Sequence, residues 1–233
     1  MTDQPICLIT GASRGLGAAL GLAFAKAGYH IIAVARTVGG LEALDDQIKA
    51  ATGQDATLVP LDLRDSDAID RMGGALHQRF GKIDVVISNA ANMGTLSPIA
   101  QSNPKPFEDA WRTNCQAPYR LIRSMDPLLQ LSGNGRFIGV TCAAAVDQQP
   151  FWGGYGASKA AFDRMVMGYA SEVPNGKVRV NLVDPGPMAT KLRAIAFPGE
   201  PEGTQPDPAT RTDAFIALAS ADDTRHGERI ILD

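Results

Sequence analysis

Tyr155 and Lys159 stand one helical turn apart in Tyr155-Gly156-Ala157-Ser158-Lys159, within a segment whose pattern predicts a helix over 154–173. That spacing puts a phenol and an ammonium on one face. A free phenol, with a pKa of about 10, is a poor acid or base near neutrality. A neighbouring cation favours phenolate and makes proton exchange with an alcohol or carbonyl oxygen accessible. The same spacing also occurs in solvated pairs on amphipathic helices, so the pair gains meaning only from what surrounds it.

A second chemical feature is Thr10-Gly11-Ala12-Ser13-Arg14-Gly15-Leu16-Gly17, lying between a predicted strand and a predicted helix. Glycines let backbone approach a phosphate closely, and the free N–H groups of a helix N-terminus attract its charge. A dinucleotide is the ligand such a turn suits. Asn114 precedes Pro118 by four residues. Proline has no N–H, so the carbonyl of residue 114 loses its ordinary helical partner.

The elements that must position these residues are legible as alternation. Apolar runs at Ile6–Thr10, His30–Ala35, Ala56–Pro60, Ile83–Ser88, Arg136–Thr141, Val178–Val183 and Arg229–Leu232 predict seven strands. Several are apolar on both alternating faces, as in strands covered on both sides. Helices are predicted near 15–27, 40–51, 65–80, 107–131 and 154–173. Strand–helix alternation implies right-handed crossovers. The expected fold is a Rossmann-type three-layer α/β sandwich with a central, mostly parallel seven-stranded sheet, the whole of 1–233 forming one domain. Residues 196–208 carry four prolines and two glycines, so a lid on the substrate side is expected near 188–210.

These motifs, in this order, resemble the short-chain dehydrogenase/reductase family, whose glycine motif is Thr-Gly-x-x-x-Gly-x-Gly. Asp62 and Leu63 follow the third strand, where the family places an acid near the adenine ring. Asn89-Ala90-Ala91 stands where the family has Asn-Ala-Gly, Tyr155 to Lys159 match Tyr-x-x-x-Lys, and Pro185, Gly186 and Thr190 follow the sixth strand. The resemblance implies catalytic positions at Asn114, Cys142, Tyr155 and Lys159, with Lys159 also reaching the nicotinamide ribose and the main chain at Asn114 holding a relay water. It implies cofactor contacts at Gly11, Ser13, Arg14, Gly15, Leu16, Gly17, Arg36, Asp62, Leu63, Asn89, Ala90, Tyr155, Lys159, Pro185, Gly186 and Thr190. Cys142 is a departure: the family has serine thirteen residues before the tyrosine, and a thiol is the weaker donor. Next to Lys159 and nicotinamide, its pKa is expected to be lowered and its sulfur reactive. Thr141, one residue along the strand, is expected to point to the opposite face.

NAD-selective relatives carry an acid at the end of the second strand; here that place is Ala35, followed by Arg36. A missing carboxylate, with Arg36 and Arg14 nearby, points to NADP(H) over NAD(H), because guanidinium forks suit phosphate oxygens. The expected activity is interconversion of a carbonyl and a secondary alcohol by hydride transfer. A dinucleotide-binding sensor or scaffold with weakened turnover is the alternative. Met93, Phe151, Trp152, Met188 and Phe197 are candidates for an apolar substrate pocket or for core.

The 22 basic and 25 acidic residues of the 233-residue chain give a net charge of −3, which excludes a strong pull on nucleic acid or anionic membrane. Three dispersed cysteines and the scattered His30, His77 and His226 show no metal-ligand spacing. Reduced thiols and the absence of an export pattern lead to a cytoplasmic expectation. The family resemblance implies a homodimer or homotetramer, through the 107–131 and 154–173 helices.

Overall fold

The computed structural model describes residues 4–173 and 176–232. Seven strands form one sheet: β1 (Ile6–Thr10), β2 (His30–Ala35), β3 (Thr57–Pro60), β4 (Val85–Ser88), β5 (Gly135–Val140), β6 (Val178–Asp184) and β7 (Arg229–Ile231). Their order is β3-β2-β1-β4-β5-β6-β7. Among the described residues every pairing is parallel. The period of two is visible in the packing. Ile6, Leu8, Ile32 and Val34 enter one core, whereas Cys7, Ile9, Ile31 and Ala33 enter the other.

Helices α1 (Gly15–Lys26) and α2 (Val38–Thr52) cover the second of these faces through Leu20 and Leu44. The opposite face is covered by α3 (Ser66–Phe80), through Ile69, and by the helices between β4 and β6. The single helix expected over 107–131 is divided. It comprises α4 (Pro104–Trp111), a π-helical turn at Arg112–Gln116, and α5 (Ala117–Ser132). In that turn the N–H of Ala117 reaches five residues back to the carbonyl of Arg112. Pro118 supplies the local reason, since it offers no N–H to the carbonyl of Asn114. Next come α6 (Gly153–Glu172), α7 (Lys191–Ala196) and α8 (Thr212–Ala219). The last two went unpredicted. The eight residues of α8 owe their order to packing, with Phe215 and Leu218 buried. Arg136 in β5, itself buried, donates to the carbonyls just beyond α8, at 2.8 Å to Ser220, where a cation complements the helix dipole.

His30 and His226 do structural work. His30 Nε2 meets Thr57 Oγ1 at 2.8 Å, and His226 Nδ1 accepts from the Val180 N–H at 3.2 Å. No helix among the described residues is long and apolar enough to cross a membrane.

Candidate active site

Strand order reverses between β1 and β4, and their carboxyl ends splay around the turn that leads into α1. Thr10 holds this point together. Its hydroxyl accepts from the N–H groups of Asn89 and Ala90, at 3.0 and 3.1 Å, and donates to the Ile87 carbonyl at 3.4 Å. Asn89 returns the contact, its Nδ2 donating to the Thr10 carbonyl at 2.9 Å. The glycines here are steric necessities. A Cβ on Gly17 would stand 2.2 Å from the Gly11 carbonyl oxygen, and one on Gly11 (φ +69°) would stand 2.9 Å from Ala90 Cα. Gly15 (φ +54°) leaves room for the Thr190 methyl, which would be 3.3 Å from a Cβ. The free N–H groups of α1 therefore open onto a cavity of about 460 Å³ along the strand ends.

Arg14 and Arg36, both exposed, line one end of that cavity together with Asp62 and Leu63. The Asp62 carboxylate is already held by Arg64, at 2.6 Å between Nη2 and Oδ2, and this pairing lowers its pKa. A close-approach glycine turn, an uncapped helix N-terminus and two exposed guanidiniums form a donor set that fits a phosphorylated dinucleotide.

At the other end, α6 brings Tyr155 and Lys159 beneath the carboxyl end of β5, both buried. Gly156 permits the close approach, since a Cβ there would lie 2.6 Å from the Ala144 carbonyl oxygen. Cys142 leaves β5 with extended backbone, and its Sγ is 3.8 Å from Tyr155 Oη. Lys159 Nζ donates to the Val140 carbonyl at 2.7 Å. Asn114 lies behind the cavity rather than on its wall. Its Oδ1 accepts from the Asn92 N–H at 2.7 Å, and its Nδ2 donates to the Asn92 carbonyl at 2.7 Å and to Ser158 Oγ at 2.9 Å. It thereby ties the π turn to α6 and to the loop after β4.

Burial is the largest cause of the pKa shifts here. It pushes the Tyr155 phenol well above its usual pKa, with Cys142 adding to the effect, and it lowers that of Lys159 against the pull of Cys142, Asp163 and Asp184. The Cys142 thiol is pushed up, because desolvation outweighs the attraction of Lys159. The expected lowered thiol pKa is therefore corrected: the buried sulfur loses more in hydration than it gains from the neighbouring Lys159. Thr141 is buried and faces Asp163. Asp163 in turn lies 3.5 Å from Arg229 Nε, and Arg229 Nη2 donates to the Cys142 carbonyl at 3.1 Å and to Asp184 at 2.9 Å.

Met93, Trp152, Met188 and Phe197 line the remaining wall, whereas Phe151, with φ +73°, stands outside it. All the cofactor positions named from the sequence border the cavity. Sequence reasoning missed Asn92, Gln149, Asp184 and Arg193, which also border it. Asn92, three residues beyond Asn89, had a local signal; Arg193 had none, because its partner Glu200 sits on the far side of a turn. No group of three or more His, Cys, Asp or Glu among the described residues is placed to hold a metal ion.

This parallel sheet, with a glycine cradle at its switch point, defines a dinucleotide-binding α/β architecture. The short chain dehydrogenase family model matches residues 5–200, and the chain belongs to that family. It is similar to the Escherichia coli oxidoreductase YciK, 29% identical over 97% of this chain and 90% of the relative. It is 32% identical to the benzil reductase ((S)-benzoin forming) of Saccharomyces cerevisiae over 81% of this chain and 73% of that protein. A short chain dehydrogenase from Shigella flexneri 2a str. 301, solved in complex with NADP, superposes with a TM-score of 0.94 at 27% identity, covering 99% of this chain and 97% of that one.

Proposed function

We infer that this protein is an NADP(H)-dependent oxidoreductase that interconverts a carbonyl and a secondary alcohol. The observation that carries the reading is convergence: Tyr155, Lys159 and Cys142 meet at one end of a cavity whose other end is the glycine cradle flanked by Arg14 and Arg36. The structural neighbour solved with NADP, and a relative whose named product is a secondary alcohol, support it. When bound, the nicotinamide supplies or accepts the hydride.

The chain's own residues supply the rest. The high pKa of Tyr155 keeps its proton in place, which is the form needed to donate to a carbonyl oxygen during reduction. Lys159 spends one N–H on the Val140 carbonyl, which fixes its ammonium, and keeps two donors for a ribose hydroxyl and for stabilising phenolate once the proton has left. Cys142 replaces the stronger hydroxyl donor with a thiol at the substrate oxygen. Asn114, through Ser158 and Asn92, positions α6 against the π turn. Arg14 and Arg36 would hold a 2′-phosphate, and residues near 188–210, including α7, would cover the substrate. Self-association through α4, α5 and α6 belongs to the same reading; Phe107 and Tyr119 are apolar and exposed there.

NADPH absorbance with a panel of ketones and aldehydes tests the activity. Tyr155→Phe should abolish nearly all turnover while fold and NADPH affinity persist. Tight NADPH binding without turnover of any carbonyl would favour the sensor or scaffold reading, which the weak Cys142 donor supports. Sedimentation at several concentrations reads the oligomer.

A further inference from the structure

Beside Tyr155 the cavity wall is a run of aromatic contacts. The Trp152 ring packs edge-on to Tyr155, with centroids 6.0 Å apart, and against Phe197 at 5.9 Å. Beyond Phe197, the Arg193 guanidinium lies 3.6 Å over the ring centroid. The charge of Arg193 is already matched. Its Nε and Nη2 donate to the two oxygens of Glu200 at 2.9 and 2.7 Å, and Gln205 donates to the same carboxylate at 2.7 Å. The pairing holds Glu200 ionised, with its pKa lowered to about 2. Lys191, the other cation of this segment to line the cavity, follows Thr190, which lies against the glycine turn on the cofactor side.

Resting on the oxidoreductase reading, we propose that the carbonyl substrate is an uncharged aryl ketone or aldehyde, its ring seated against Trp152 and Phe197, with the Arg193–Glu200 clamp holding Phe197 in place. Aromatic edges and faces reward a flat ring beyond what an aliphatic group of equal area obtains. The thioethers of Met93 and Met188 add polarizable contacts that also favour a ring. A carboxylated substrate gains little net attraction from Arg193, because the Glu200 carboxylate already balances its charge through Nε and Nη2. The clamp thus acts as a charge filter as well as a brace.

Acetophenone, cyclohexyl methyl ketone and 4-acetylbenzoate separate the possibilities. With NADPH, kcat/KM for acetophenone should exceed that for the cyclohexyl ketone by roughly threefold to tenfold. Trp152→Leu and Phe197→Leu should each erase most of that ratio. Glu200→Gln should lower KM for 4-acetylbenzoate several-fold relative to acetophenone. Calorimetry of the same ketones with the NADP+-loaded protein reads the preference without turnover, so it holds even if no ketone reacts. Absence of any turnover together with aryl-selective binding would overturn the oxidoreductase reading alone. Equal or better use of the cyclohexyl ketone, or a wild-type preference for the carboxylate, would overturn the aryl proposal while leaving the activity intact.

Discussion

Cys142→Ser should make this enzyme faster. In the wild type the Sγ stands 3.8 Å from Tyr155 Oη, near the long limit of a sulfur hydrogen bond, and S–H is a weak donor. The backbone there is extended and tethered by Arg229 to the Cys142 carbonyl, so serine inherits the same direction without rearrangement. A hydroxyl donated to an oxygen that develops charge is worth about 1.5–3 kcal/mol. If the thiol supplies little of this, restoring it accelerates the chemical step roughly tenfold to a hundredfold. The assay is single-turnover reduction of a confirmed ketone by NADPH, repeated with cofactor deuterated at the transferred position. The isotope effect shows whether hydride transfer limits the measured rate. NADPH affinity should change little, since Cys142 sits at the substrate end of the cavity. A Cys142→Ser variant no faster than wild type, under a full isotope effect, would refute the reasoning.

Other perturbations reach separate parts of the site. Arg36→Ala should reduce the preference for NADPH over NADH, read by titrating both cofactors; an unchanged ratio would place phosphate recognition elsewhere. Gly17→Ala should abolish most cofactor binding and lower the melting temperature, because its Cβ would meet the Gly11 carbonyl oxygen at 2.2 Å; unaltered affinity would contradict the cradle geometry. Alkylation of Cys142, followed by peptide mass spectrometry, should be slow at neutral pH and still climbing past pH 9, since burial raises the thiol above its ordinary 9.0; NADP+ should slow it further, and a rate already level at neutral pH would mean a lowered thiol. Burial also raises the Asp163 pKa. The folded state therefore holds that proton more tightly than the unfolded chain, and wild type loses stability as pH rises from the unfolded value of about 4 through the folded one. Asp163→Asn should melt higher than wild type near pH 7, with the gap narrowing toward pH 4; a gap that widens on acidification would show a net favourable ion pair with Arg229.

The amino-acid order by itself determined the sheet and the chemistry placed at its edge. Residues that are apolar on both alternating faces, as in Cys7 to Ile9 and Ile31 to Val34, admit few arrangements other than strands covered on both sides, and the observed strand ends lie within two residues of the predicted ones. The glycine turn, the Tyr155–Lys159 pair and the loss of serine at Cys142 were legible because each depends on local spacing. What required the tertiary structure is what depends on distant partners. The π turn arises where Pro118 removes a local bond while Asn114 is drawn to Asn92 and Ser158, contacts 22 and 44 residues away. Helix α8 is too short to stand on propensity and forms where Phe215 is buried and Arg136 caps it from β5. The Cys142 titration, read as lowered from its neighbours, is raised because desolvation is a property of the enclosing fold, which no nearest-neighbour pattern encodes. The Arg193–Glu200 clamp belongs to the same class: two exposed-looking charges whose pairing, over the face of Phe197, exists only once the chain after α7 has turned back on itself.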